Sequence, residues 1–250
     1  MIWSDIITQA NFLFKKNNRL HTYLNHKIFA YESFADALVG HLADALKENI
    51  SRQILADWFS DLIVSNPQIA EQAALDINKL VSTNPACPDH LTAFLSFRGV
   101  LAVQAYRFAH AIWKEGDIQS AVLMQNWISK EWDIDIHPAA KLGKGLFIDD
   151  GMGIVIGETA VVEDDVSIWH GVKLGSTFSE AGERHPKIRQ GALLCTGATV
   201  LGNIEVGKSA IVAANSVVLK PVAEGVIVAG SPAKKVGLAP SDFATFTKIG

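Results

Sequence analysis

A chain of 250 residues with 49% hydrophobic and 19% charged residues is long enough to bury a substantial core and too apolar to stay disordered. Its formal net charge of −4, without a long basic run, excludes the electrostatic signature of a nucleic-acid or anionic-membrane partner. Two cysteines, Cys87 and Cys195, make neither a disulfide framework nor a metal knot. The N-terminus MIWSDIITQA lacks the pattern of a signal peptide, and no apolar run reaches the roughly 18 residues of a membrane span, so the expected location is the cytoplasm.

Residues 1–133 read as a helical domain in which glycine is scarce (Gly40, Gly99 and Gly116). Apolar residues at helical spacing over Tyr31–Leu46, Ser51–Ile63 and Ala70–Leu80 predict helices, with Ser51 as an N-cap. Ser65-Asn66-Pro67 and the segment from Asn84 to Pro88 are breaks. The longest apolar pattern runs from Thr92 to Trp113. Gly116-Asp117 then ends one helix and caps another, which runs to about Ile128.

From residue 134 to 237 the rhythm changes. An aliphatic residue returns every six positions at Ile136, Leu142, Ile148, Ile154, Ala160, Val166 and Val172, and again at Ile188, Leu194, Val200, Val206, Val212 and Val218. Four residues after each beat of the second run stand Ala192, Ala198, Ile204, Ala210, Ser216 and Val222, which are mostly small. A period of six fits neither a helix nor a simple alternating strand. It fits a solenoid of short flat faces, three to a coil, stacked as parallel strands. The fold class is therefore α+β, an N-terminal helical domain followed by a parallel β-helix. Cys195, just after a beat, reads as a wall residue, and His170 falls on the small-residue slot of its repeat, which makes it a packed wall histidine. Between Val172 and Ile188 the step is sixteen, and the intervening Gly, Ser and charged residues mark a loop leaving the solenoid, a place where repeat scaffolds carry function. Residues 238–250 read as a C-terminal tail.

Asp135-Ile136-His137-Pro138-Ala139-Ala140, Gly153-Ile154-Val155-Ile156-Gly157-Glu158-Thr159 and Arg184-His185-Pro186-Lys187-Ile188 resemble the bacterial serine O-acetyltransferases. So do Leu201-Gly202-Asn203-Ile204-Glu205-Val206-Gly207, Gly230-Ser231-Pro232-Ala233 and, in the helical part, Gln104-Ala105-Tyr106-Arg107. The resemblance implies a left-handed β-helix, a homotrimer or a hexamer made of trimers paired through their helical domains, and acetyl transfer from acetyl-CoA to L-serine for cysteine synthesis, without a metal. It assigns Asp135 to orienting the catalytic imidazole, Asp149 and Arg184 to the substrate, and His185 to the second active-site histidine. CoA is expected near Gly197, Ala198, Ala214 and Lys234, in the groove between adjacent β-helices.

Two positions depart from the family pattern. Where the family carries Asp-His, with the histidine as general base, this chain has Asp149-Asp150. A carboxylate is a weaker base than imidazole by roughly two to three pKa units, so the base is open between Asp150, with its basicity raised by neighbouring carboxylates, His170 and His185. A substrate aspartate of the helical domain is replaced by Asn84, and Asp89 stands close enough in sequence to compensate. His137, beside Pro138, reads as a structural corner. These departures keep a second reading alive, a non-catalytic or altered-acceptor relative on the same scaffold. The family's C-terminal isoleucine docks into O-acetylserine sulfhydrylase. Here the chain ends Lys248-Ile249-Gly250, which places Gly250 one residue beyond the isoleucine of such a complex.

Overall fold

The computed structural model describes residues 1–177 and 181–240. The C-terminal segment with its sulfhydrylase-docking expectation lies outside the described residues. The helices are α1 (Ile2–Lys16), α2 (His21–Leu24), α3 (Phe34–Leu46), α4 (Arg52–Ser65), α5 (Gln68–Thr83), α6 (His90–Ser96), α7 (Arg98–Lys114) and α8 (Ile118–Trp132). Their starts follow local capping chemistry. Ser33 accepts from the amide of Asp36, Asp89 from that of Thr92, and Asp117 from that of Ser120, each satisfying an orphan donor of the first turn. Ser51 occupies the cap position of α4 but makes no capping bond.

The pattern from Thr92 to Trp113 is divided between α6 and α7 by an extended Phe97 (φ −88°, ψ 109°). The break has a steric reason at its far side. Gly99 lies so close to the first β-coil that a Cβ there would sit 1.9 Å from the carbonyl oxygen of Asp149. The kink lets α7 seat its glycine end on the solenoid. From Gly99 to Ala109 every residue of α7 is buried. The Tyr106 hydroxyl donates to the Ala140 carbonyl, and the Arg107 guanidinium donates to Asp76 on α5 and to the Gly143 carbonyl. Asp76 also accepts from Gln104 and from the amide of Leu146. This buried network ties the helices to the first coil.

The β-domain is a three-sided left-handed prism. Its first face stacks Ile134–Ile136, Ile154–Ile156, Lys173–Gly175, Thr199–Leu201 and Val217–Val218, all parallel. The second stacks Lys141–Leu142, Val161–Val162, Lys187–Ile188 and Glu205–Val206. The third stacks Phe147–Ile148, Ser167–Ile168, Leu193–Leu194, Ile211–Val212 and Val226–Gly230, and Ala233–Leu238 closes it as an antiparallel edge.

Strand register corrects the phase of the six-residue beat. Ile136 pairs with Ile156 and Ile148 with Ile168, twenty positions on, whereas Ile188 pairs with Val206 and Leu194 with Val212, eighteen on. The inward column begun by Ile136, Leu142 and Ile148 thus continues at Ile156, Val162, Ile168 and Leu174. Ile154 instead pairs with Ile134, in a second inward column that Ala160, Val166 and Val172 continue. Two extra residues enter at the corner Asp149–Gly153. Because side chains alternate sides with a period of two, an insertion of two preserves inside and outside, and the beat reads through it unbroken.

Candidate active site

The first face has a corner at each edge, and the polar residues expected to be functional gather at these corners. At the corner leading to the second face stand His137, then Glu158 and Thr159 one coil up, then Arg184 and His185 where the chain returns from its loop. Thr159 organises them. Its hydroxyl oxygen accepts from the backbone amides of Arg184 and His185, both at 3.0 Å. With its lone pairs so engaged, the hydroxyl proton points to Nδ1 of His185, 2.9 Å away, and the Thr159 amide donates to the same nitrogen at 3.2 Å. The His185 ring covers Gly157, where a Cβ would lie 2.1 Å from Nε2. Any other residue at position 157 would displace the ring.

Charge completes this corner. The Arg184 guanidinium is paired with Glu158, which holds the Glu158 carboxyl below its ordinary range. Burial, and after it the Arg184 charge, push the His185 imidazole below the usual histidine range. His137 is likewise lowered by burial, against the opposing pull of Glu158 and Asp135. Its Nδ1 accepts from the amide of Ala139, and its ring meets Trp113 edge-on, so it does close a structural corner.

At the other edge, between the third and first faces, stand Asp149, Asp150 and His170. His170 is not packed in the wall. Its side chain is 48% exposed, and its Nδ1 lies 3.1 Å from Oδ2 of Asp149. The two-residue insertion explains the difference, because it moves position 170 out of the small-residue slot and into the corner between Ser167–Ile168 and Lys173–Gly175. Asp150 is exposed and makes no side-chain hydrogen bond or ion pair among the described residues. Above Gly153, the glycines of this corner stack. A Cβ at Gly153 would lie 3.6 Å from Cα of Gly171, and one at Gly171 would lie 3.4 Å from Cα of Gly197. The stack leaves a furrow over Gly153 and Gly171, closed at its top by the Asn215 side chain, whose Oδ1 lies 2.3 Å from where a Cβ of Gly197 would sit. Ala214 is exposed beside its top, and Lys234 is exposed on the closing strand. The side chain of Ala198 is sealed inside the prism, leaving only its backbone to face a ligand.

The remaining expected residues sit close by. Asp135 projects from the middle of the first face, where its carboxylate accepts from the Gln125 side chain of α8 at 2.6 Å, not from an imidazole. Asn84 is buried, and its side-chain oxygen accepts from the Ala86 amide in a tight turn. With Thr83 and Pro85 it lines an apolar cavity of about 230 Å³ against Phe147, Trp169 and Leu193 of the third face. Asp89 does not stand in for the missing carboxylate, since it caps α6. Sequence reasoning did not single out Thr159 and Glu158, although the Gly157-Glu158-Thr159 string contains them. Only coil stacking reveals that they underlie Arg184 and His185.

This arrangement agrees with what the chain resembles. A family model described as the N-terminal region of serine acetyltransferase matches residues 2–105. A Schizosaccharomyces pombe relative assigned to the serine acetyltransferases is 48% identical over 248 residues, covering 98% of this chain and 92% of its own length. The chain belongs to the serine acetyltransferase family. The crystal structure of the Vibrio cholerae serine acetyltransferase superposes with a TM-score of 0.95 at 39% identity, covering 98% of this chain and 96% of that one. The Brucella abortus serine acetyltransferase in complex with coenzyme A superposes with a TM-score of 0.93 at 40% identity, covering 96% of each chain. Serine acetyltransferase architecture thus extends through both the helices and the prism. Among the described residues no helix is long and apolar enough to cross a membrane, and no group of three or more His, Cys, Asp or Glu is placed to hold a metal ion.

Proposed function

We propose that this chain is a serine O-acetyltransferase, moving the acetyl group of acetyl-CoA onto the hydroxyl of L-serine to give O-acetylserine for cysteine synthesis. The observation that carries this reading is the pair of polar corners on one face, an Arg184–His185 corner fixed by Thr159 and an Asp149–His170 corner beside a glycine furrow. Arg184 supplies a cation for the serine carboxylate, and Asp149 and the Asn84 turn bound the rest of the amino acid. Asp135, Asp150 and His185 line the catalytic site. CoA lies along the furrow by Gly197, the Ala198 backbone and Ala214, with Lys234 near its phosphates. A non-catalytic or altered-acceptor relative is not favoured by similarity that runs through the whole chain.

Within one chain the two corners are a strand apart, roughly 15–20 Å, too far to act on one small substrate. A cyclic homotrimer, in which one corner meets the opposite corner of the next copy, brings them together. The helical domains are then free to pair trimers into hexamers. A cytoplasmic location suits Cys87 and Cys195, which form no disulfide among the described residues. The test supplies purified protein with acetyl-CoA and L-serine and follows both free CoA and O-acetylserine. Release of the two in equal amounts is expected. CoA release only with a different hydroxyl or amine acceptor would overturn the serine assignment.

A further inference from the structure

The serine hydroxyl needs a group that accepts its proton within hydrogen-bond reach, and hydrogen bonding decides which imidazole can. An amide N–H only donates, so Nδ1 of His185, facing the Thr159 amide and hydroxyl, keeps its lone pair. The neutral ring therefore carries its proton on Nε2, and that nitrogen is a donor. His137 is fixed the same way by the Ala139 amide. His110 has the opposite tautomer, with Nδ1 donating to the Pro138 carbonyl, but it borders a cavity on the second face with Lys141, Val161 and Glu163. His170 differs from all three. A carboxylate only accepts, so Nδ1 of His170 carries the proton toward Asp149, and Nε2 holds its lone pair on a half-exposed ring adjoining Gly171 of the furrow.

We propose that His170 is the general base, oriented and charge-compensated by Asp149, in place of the histidine absent from position 150, while His185 serves as a hydrogen-bond donor. This deepens the acetyl-transfer reading and rests on it. As the serine oxygen bonds to the thioester carbon, its proton passes to Nε2 of His170, and the Asp149 carboxylate stabilises the imidazolium that forms. The carbon–sulfur bond then breaks, and the proton passes from His170 to the departing CoA sulfur. Asp150, adjoining Asp149, adds negative charge at the same corner without accepting the proton.

The test compares initial rates of CoA release, with acetyl-CoA and L-serine, for the full-length wild type and its His170→Gln, His170→Gly, Asp149→Asn and Asp150→Asn variants. Acetyl-CoA binding and the melting temperature are recorded for each. The expected result is an active wild type and a His170→Gln variant slowed by about 10²–10⁴-fold in kcat with acetyl-CoA binding retained. Added imidazole should speed His170→Gly at least about tenfold, which a purely structural role would not produce. Asp150→Asn should lose less than His170→Gln. An active wild type with an equally active His170→Gln, or a larger loss on Asp150→Asn, overturns the proposal while leaving acetyl transfer standing. A wild type that releases no CoA with L-serine overturns the acetyl-transfer reading and this proposal with it.

Discussion

Thr159 shows how one hydroxyl can set the chemistry of a neighbour. It accepts two backbone amides, and its proton and its own amide both point to Nδ1 of His185. Thr159→Val keeps the shape but strands those two amides and frees the ring. Each net hydrogen bond is worth about 1 kcal/mol, so a loss of about tenfold or more in kcat/KM is expected, with Thr159→Ser close to wild type. Nitrogen-15 NMR of the imidazoles checks the cause, since His185 should carry its proton on Nε2 near neutrality in the wild type and hold that bias less strongly in the valine variant, where the backbone amide of residue 159 alone remains. His41 gives a different single-residue prediction. Burial first, and then the charge of Lys27, lower its pKa to about 4, and its Nδ1 is buried without a hydrogen-bond partner among the described residues. Its native pKa lies below its unfolded value near 6.5, so the unfolded chain takes up a proton that the folded one refuses. Stability therefore falls as pH drops from about 6.5 toward 4, by roughly 3 kcal/mol from this group. Urea unfolding near neutrality and near pH 4 should show a shallower acid loss in His41→Leu.

Among the elements, α7 matters most, because it carries both the packing and the polar tether. Its Arg107 and the Asp76 of α5 are both almost wholly buried and bridge to Gly143 and Leu146 of the first coil. Arg107→Met leaves the Asp76 carboxylate buried without its counter-charge, a loss of about 3–5 kcal/mol. Thermal or urea denaturation measures it, and the double variant Asp76→Leu/Arg107→Met should recover most of the loss. The sequence made the helices and the prism legible because their periods, 3.6 and six, differ so clearly. It did not reveal the break at Phe97, which depends on Gly99 meeting the Asp149 carbonyl from a distant segment. Nor did it reveal the two-residue insertion at Asp149–Gly153, since an even insertion leaves the inward pattern intact. That hidden shift is also why His170 read as a wall residue. Arg184 and His185 stood out by their motif, whereas the partners that hold them come from other coils and share no local spacing with them.

At the scale of the whole molecule, the prism puts its two polar corners on opposite edges of one face, and the proposed trimer makes function depend on how copies meet. If each site joins the Arg184–His185 corner of one chain to the Asp149–His170 corner of the next, two differently disabled chains can rebuild a working site between them. The most direct test co-expresses His185→Gln and His170→Gln chains with separate tags, purifies the mixed assemblies and measures CoA release with acetyl-CoA and L-serine. Each variant alone should be nearly inactive. Every purified mixed trimer regains one intact site of its three, so about a third of wild-type activity should return. Mixed assemblies that form, carry both tags and remain as inactive as the single variants would contradict a site shared between neighbouring chains.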